Sequence, residues 1–363
     1  MSVNKRKSRE NNIKLVEKDF VPHFLPTFRI PTKFFPIPII IVVIFSGFLA
    51  YITYFGAGIQ MEGGYFSEAD LGVIGGILNG ILFTFTAAIS AFLIIFFVKR
   101  KGIDILKYFF GFTIGFISFF MTYFFGSTMI YFIFIQFPET PELVNSYYLI
   151  TNMILPILTG IFSVILLYKY FTSKSINLKN LIVLYTSLLM SASLAIFMPL
   201  WTTIAILIGL SIWDMFAVLS RRGPIREMIE IASKPDKDQN FVHANPSKKF
   251  VDIMYFYQPS LKYHQQPSLN DEVIEKPVLV YDTSKIEIGI GDLIFYSMLT
   301  SCALIQSNSI IVVIFTLIAI LIGIRLTIIG LKKNKILPGL PISIFLGIAT
   351  MFISWFLLLI IFP

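Results

Sequence analysis

Two aspartates stand inside stretches of the chain that are otherwise apolar. Asp214 lies in LSIWDMFAVL, and Asp292 lies in IGIGDLIFYSML. A carboxylate in the hydrocarbon of a bilayer is costly, so each of these residues indicates a functional site. Two close carboxyls cannot both ionise cheaply, and they titrate as a unit that keeps one proton. Such a pair is suited to proteolysis: the ionised member takes a proton from water, and the protonated member polarises the scissile carbonyl.

The spacing of charged residues places both aspartates at one depth. Asp214 precedes Arg221 by seven residues, and Asp292 follows Lys285 by seven. Seven helical residues span about 10 Å, so both carboxyls are expected in the cytosolic third of the bilayer. Gly289 and Gly291 precede Asp292, and glycine lets a backbone approach closely at such a point.

A third irregular element is predicted at the same level. Pro338, Gly339, Leu340 and Pro341 open an apolar stretch just after Lys335. Two prolines so close together leave backbone groups unpaired, which the bilayer tolerates only where protein or a cavity satisfies them. We therefore expect this corner to meet the two aspartates. A simple helix start is the alternative interpretation of the prolines.

Composition sets the class of protein. The 363 residues are 56% apolar and 16% aromatic, which excludes a soluble globular domain and indicates a polytopic membrane protein. The net charge of +8 is spread over short basic patches between apolar runs, so it is not a nucleic-acid footprint. No histidine lies in an apolar run and no HExxH is present, which argues against zinc-dependent or Ser/His intramembrane proteases. The sequence implies no metal and no organic cofactor.

The apolar runs predict nine membrane-spanning helices. A single helix over 181–219 would be about 58 Å long, too long for one crossing, so Pro199 is taken as a break. The polar residues 306–309 divide 288–331 in the same way. The resulting spans are 37–57, 69–98, 106–134, 147–171, two within 181–219, two within 288–331, and 337–362.

Loop charges predict how the chain is oriented. The N-terminal arm and every second loop carry clusters of Lys and Arg, whereas the loops between them carry none. The positive-inside rule then gives a cytosolic N-terminus and an external C-terminus. The expected organisation is a cytosolic arm (1–36), helices 1–6 (37–219), a partly disordered cytosolic loop (220–286) and helices 7–9 (287–363). The protein is expected in the cell membrane if prokaryotic and in an endomembrane if eukaryotic.

Three motifs in this order resemble those of presenilins, the GxGD intramembrane aspartyl proteases of the presenilin and signal peptide peptidase superfamily. The motifs are WDMFAVLSRRGPIREMIE, IGIGDLIFYSML and LPGLPISIF. The resemblance implies a catalytic role for Asp214 and Asp292 and supporting roles for Pro338, Gly339 and Leu340. Trp213 stands where the family has Tyr, and Gly339 where it has Ala. The Ile-, Phe- and Lys-rich composition favours an archaeal or other prokaryotic homologue.

These observations predict an intramembrane aspartic endopeptidase that hydrolyses peptide bonds of transmembrane helices. The expected substrates are single-span or signal-anchor proteins in the lipid bilayer, with no nucleic-acid partner; accessory subunits are left open. The alternative is an ion-coupled transporter or leak channel that uses the aspartates as a proton relay.

A short β-prone run is expected to present the substrate. Val278, Leu279 and Val280 lie in PVLVY, just outside the membrane and upstream of Asp292. A transmembrane helix hides its scissile bonds in its own hydrogen bonds, so it must unwind and find new backbone partners. A strand edge over 277–281 would supply them. Packing of this run on the membrane surface is the alternative.

Overall fold

A computed structural model describes residues 26–60, 63–102, 105–136, 142–173, 175–220, 285–332 and 338–361. These ranges contain nine helices that are long and apolar enough to cross a membrane. The structure therefore confirms the predicted all-α polytopic fold class with nine transmembrane helices. The orientation of the two termini stays a prediction.

The helices follow the predicted spans closely. A π-helical turn over Ile52–Gly56 extends the first helix. The helices are α1 (Pro36–Tyr51), α2 (Val73–Lys101), α3 (Ile105–Phe134), α4 (Glu142–Thr172), α5 (Ile176–Phe197), α6 (Leu200–Leu219), α7 (Ile290–Ser307), α8 (Ile310–Lys332) and α9 (Leu340–Ile361).

Both expected breaks occur, and each has a local cause. Pro199 is the N-cap of α6, in an extended conformation that a helix interior does not allow. Asn308 ends α7 with a left-handed backbone at φ 47°, a conformation that Asn tolerates better than most residues. The polypeptide thus turns back at Pro199 and at Asn308, as the excess length of the apolar runs predicts.

Two short strands form an antiparallel pair ahead of α1 and α7. Strand β1 (Thr27–Pro31) belongs to the N-terminal arm, and strand β2 (Lys285–Gly289) leads directly into α7. Thr27 faces Gly289 and Pro31 faces Lys285 in this pair. Sequence analysis did not predict β1. The strand expected over 277–281 lies outside the described residues.

Helix α7 lies at the centre of the described bundle. Leu293, Met298 and Leu299 on this helix are almost fully buried, and α7 contacts α1, α5, α6, α8 and α9. They belong to a large apolar cluster that also includes Ile320 and Ile344. Close packing from several sides leaves little freedom for the helix that carries Asp292.

Helix α6, which carries Asp214, is fixed at its far end by polar side chains from the α2 side. Glu68 accepts a hydrogen bond from the Trp201 N–H at 3.2 Å. Asn79 is fully buried, and its amide nitrogen donates to the Thr202 hydroxyl at 3.0 Å. The Glu68 bond satisfies a backbone donor at the start of α6 that would otherwise have no helical partner.

Candidate active site

Asp214 lies five residues before the end of α6 and is partly exposed. Its Oδ2 accepts a hydrogen bond from the backbone N–H of Leu340 at 3.3 Å. The N–H of Gly339 points to the same carboxyl. The partners of Asp214 are thus backbone donors at the start of α9.

Asp292 is the third residue of α7, and Gly289 is the N-cap of that helix. The Gly289 N–H interacts with the Asp292 carboxyl, as in the reach-back of a capping box. A carboxylate at this position also faces the positive end of the helix dipole. The local sequence therefore favours a negative charge here, within a region from which the bilayer excludes charge.

The corner formed by Pro338, Gly339 and Leu340 lies between the two aspartates. Pro338 and Leu340 are buried. A Cβ built on Gly339 would lie 3.7 Å from Asp292 Oδ2, while the next N–H, that of Leu340, binds Asp214. Gly339 and Leu340 thus lie beside both carboxyls, which also interact electrostatically with each other.

Two further buried side chains hold this corner in place, and sequence analysis missed them. The Tyr296 hydroxyl donates to the Gly339 carbonyl at 3.3 Å. Ser343 Oγ lies 3.0 Å from the Tyr296 hydroxyl and 3.2 Å from the Gly339 carbonyl. Tyr296 follows Asp292 by four residues, and Ser343 follows Gly339 by four, so helical spacing could have identified both.

The remaining predicted site residues either contact other side chains or lie outside the described residues. The Trp213 ring packs against Phe92 of α2, at 5.9 Å between ring centroids. A Cβ on Gly291 would meet only Phe295, at an ordinary distance of 3.7 Å. Val278, Leu279 and Val280 fall outside the part of the chain that the structure describes.

The site offers two carboxyls and the backbone N–H donors at the starts of two helices. Among the described residues, no group of three or more His, Cys, Asp or Glu side chains could hold a metal ion. Proton exchange between two carboxyls and a water molecule is the chemistry that this set of groups can perform.

Comparison with known proteins agrees with this architecture. The presenilin family model matches residues 65–244 and 253–361, which include both aspartates and the Pro338 corner. Presenilin-B of Dictyostelium discoideum is 34% identical over 174 residues, or 46% of this chain. A presenilin-like protein of Arabidopsis thaliana is 22% identical over 329 residues, or 78% of this chain and 79% of its own length.

Coverage of the relatives is uneven. The match spans 28% of the length of Presenilin-B. A presenilin homologue of Drosophila melanogaster is 41% identical over 51 residues, which is 14% of this chain and 9% of the homologue. The family model nevertheless matches most of the chain, and its two matched segments contain Asp214 and Asp292 respectively. The chain therefore belongs to the presenilin family.

Proposed function

We propose that this protein is an intramembrane aspartic endopeptidase with Asp214 and Asp292 as its catalytic pair. The observation that carries the proposal is the position of Gly339 and Leu340 beside both carboxyls: the Leu340 N–H binds Asp214, and a Cβ on Gly339 would lie 3.7 Å from Asp292 Oδ2. A carboxyl pair inside a bundle of apolar helices is costly to keep in a membrane, which indicates a functional role. Its arrangement suits a reaction that needs one proton shared between two acids.

The proposed reaction follows from the chemistry of such a pair. The ionised carboxyl removes a proton from water as the water oxygen attacks the scissile carbonyl carbon, and the protonated carboxyl donates its proton to the carbonyl oxygen. The tetrahedral intermediate then collapses: the C–N bond breaks, the amine nitrogen takes a proton, and the carboxyl pair returns to its singly protonated state. Water is consumed and no other reactant is needed.

The N–H groups around the pair support this reaction. The donors at Leu340 and Gly289 stabilise the single negative charge in a region of low dielectric constant. They belong to the backbone and need little reorganisation during the reaction. The buried hydroxyls of Tyr296 and Ser343 keep the Gly339 carbonyl turned toward them, which orients the neighbouring N–H of Leu340 toward Asp214.

The substrate class follows from the depth of the pair. A helix that crosses the bilayer must unwind near Asp214 and Asp292 before a peptide bond reaches them, because helical hydrogen bonds bury that bond. Strand β2 ends at Gly289, three residues before Asp292, and is an extended backbone close to the pair. Single-span and signal-anchor proteins are the substrates that such a site fits.

Purified protein in proteoliposomes, incubated with a single-span peptide, tests the proposal. Mass spectrometry is expected to show two complementary fragments, cut within the apolar segment. The Asp214→Asn variant is expected to give neither fragment, while a proton-flux assay on the same sealed vesicles shows no conduction by the parent protein. Conduction without cleavage would replace proteolysis with ion transport.

A further inference from the structure

Strand β1 lies outside the family match, which begins at residue 65. It nevertheless reaches the catalytic region. Each residue from Thr27 to Pro31 pairs with a residue of β2, and β2 runs without interruption into the helix that carries Asp292. The N-terminal arm is thus in contact with the segment that sets the position of this carboxyl.

Both backbone edges of β1 are bonded. The Ile290 N–H donates to the Pro26 carbonyl at 3.3 Å. In an antiparallel pair only every second residue points its backbone N–H and C=O toward the partner strand, so those of Arg29 point away from β2. There, the Arg29 N–H donates to Asn180 Oδ1 at 3.0 Å, and Asn180 Nδ2 donates to the Arg29 carbonyl at 2.8 Å. Asn180 belongs to α5, so β1 is held between β2 and a transmembrane helix.

The side chains of the pair are also held firmly. Phe28 and Ile288 are 8% and 7% exposed, and both belong to the apolar cluster that contains Leu293 and Tyr296. The Arg29 guanidinium lies 3.1 Å from the Glu287 carboxylate. Detachment of β1 from β2 would expose the Phe28 side chain to solvent or lipid and break this ion pair, so detachment is unfavourable.

We propose that β1 is a permanent positioning element of the catalytic centre, with Asn180 and Arg29 as positioning residues that act through β2 on Asp292. The inference rests on the proposed proteolysis at Asp214 and Asp292. A shift of about 1 Å at a catalytic group can lower a rate by about a hundredfold. β2 ends three residues from Asp292, so a firm strand pair has a direct effect on the geometry of the carboxyls. If β1 instead had to leave β2 before substrate is cut, a crosslink between the two strands would block cleavage.

A disulfide across the pair tests whether β1 stays in place during turnover. Pro31 and Lys285 face each other at a position without interstrand hydrogen bonds, where Cα atoms are about 4.5 Å apart, within the range of about 4.4–6.8 Å that a disulfide spans. The variant carries Pro31→Cys and Lys285→Cys, with the buried Cys302 changed to Ala. The disulfide is expected to form and to leave the cleavage rate equal in oxidised and reduced protein. Failure to form the disulfide, or an oxidised protein that cleaves only after reduction, would overturn the proposal.

Substitution of Asn180 tests the positioning role and separates it from the proposed activity. Asn180→Leu removes both bonds to Arg29 and is expected to speed hydrogen exchange of the amides over 286–296, and to lower kcat about tenfold with KM unchanged. The matched control is Asn152→Leu on α4, whose side chain bonds to Ser127; it should change neither quantity. Unchanged exchange and kcat in Asn180→Leu would refute the role of β1. Absence of cleavage by the parent would refute the proteolysis instead, and exchange would then decide the role of β1 alone.

Discussion

The chemistry of Asp214 and Asp292 depends on the backbone that surrounds them. Each carboxyl faces an N–H group at a helix start, Leu340 of α9 for Asp214 and Gly289 ahead of α7 for Asp292. Such donors stabilise one negative charge, whereas a second charge at the same place inside a membrane has little compensation. The pair is therefore suited to a singly protonated resting state.

This state predicts how activity changes with pH. Below the optimum both carboxyls are protonated and the base is lost; above it both are ionised and the acid is lost. The cleavage rate should therefore pass through a maximum as the pH rises and fall on both sides of it. The two flanks report two apparent pKa values that belong to the pair of carboxyls as a unit. Initial rates in detergent, with protein stability checked at each pH, measure the profile. A rate that only rises or only falls would assign the chemistry to a single group.

Tyr296 is expected to matter through the corner that it holds. Tyr296→Phe removes the hydroxyl that donates to Gly339 and contacts Ser343 but keeps the ring. One such bond contributes about 0.5–1.5 kcal/mol, so kcat should fall about two- to tenfold while KM is kept. Ser343→Ala should act on the same contact, and the double variant should lose less than the sum of the two changes in free energy. Full additivity would show that the two hydroxyls act separately.

At the scale of helices, the contact of α2 with α6 fixes the helix that carries Asp214. A Cβ on Gly80 would lie 2.8 Å from the Ala205 carbonyl carbon, closer than atoms can pack. Gly80→Ala should therefore push α6 aside, lower the melting temperature and lower the cleavage rate, with an overpacking cost of about 1–3 kcal/mol.

Gly160→Ala is the matched control for this change. A Cβ there would meet Phe119 at 3.7 Å, an ordinary contact, and Ala favours the helix by about 1 kcal/mol over Gly. Melting temperature and turnover should stay level or rise. If Gly80→Ala behaves in the same way, α2 does not constrain α6.

The sequence allowed prediction of the long elements but not of the short ones. The breaks at Pro199 and Asn308 follow from helix length and local residue chemistry, which neighbours do not alter. Strand β1 is only five residues long, and its partner lies more than 250 positions away along the chain; a strand this short forms only through tertiary contacts. Asn180 was missed for the same reason, since its role depends on where Arg29 lies. The closeness of the Pro338 corner to both carboxyls was expected from matching depth.

At the scale of the whole molecule, the strand pair links the N-terminal arm to the start of α7. The two segments are therefore expected at one membrane face, which agrees with the six helices that the described residues place between them. Nine helices in the described ranges then predict termini on opposite sides. The loop charges predict that the N-terminus is cytosolic.

Reporter fusions expressed in bacteria check this topology. A fluorescent protein that matures only in the cytosol should be bright at the N-terminus and dark at the C-terminus, and a phosphatase active only outside should show the reverse. Two termini on the same side would contradict the count of nine spans.

The most direct test of the central claim compares the parent with Asp214→Asn and Asp292→Asn in one purified cleavage assay. Each substitution keeps the size of the side chain and removes the group that shares the proton. Each single variant is expected to lose at least about a thousandfold in rate, and the double variant little more. Both single variants should melt at or above the temperature of the parent, because a carboxyl in the membrane is destabilising. Cleavage at an undiminished rate by either folded variant would show that the two aspartates are not the catalytic pair.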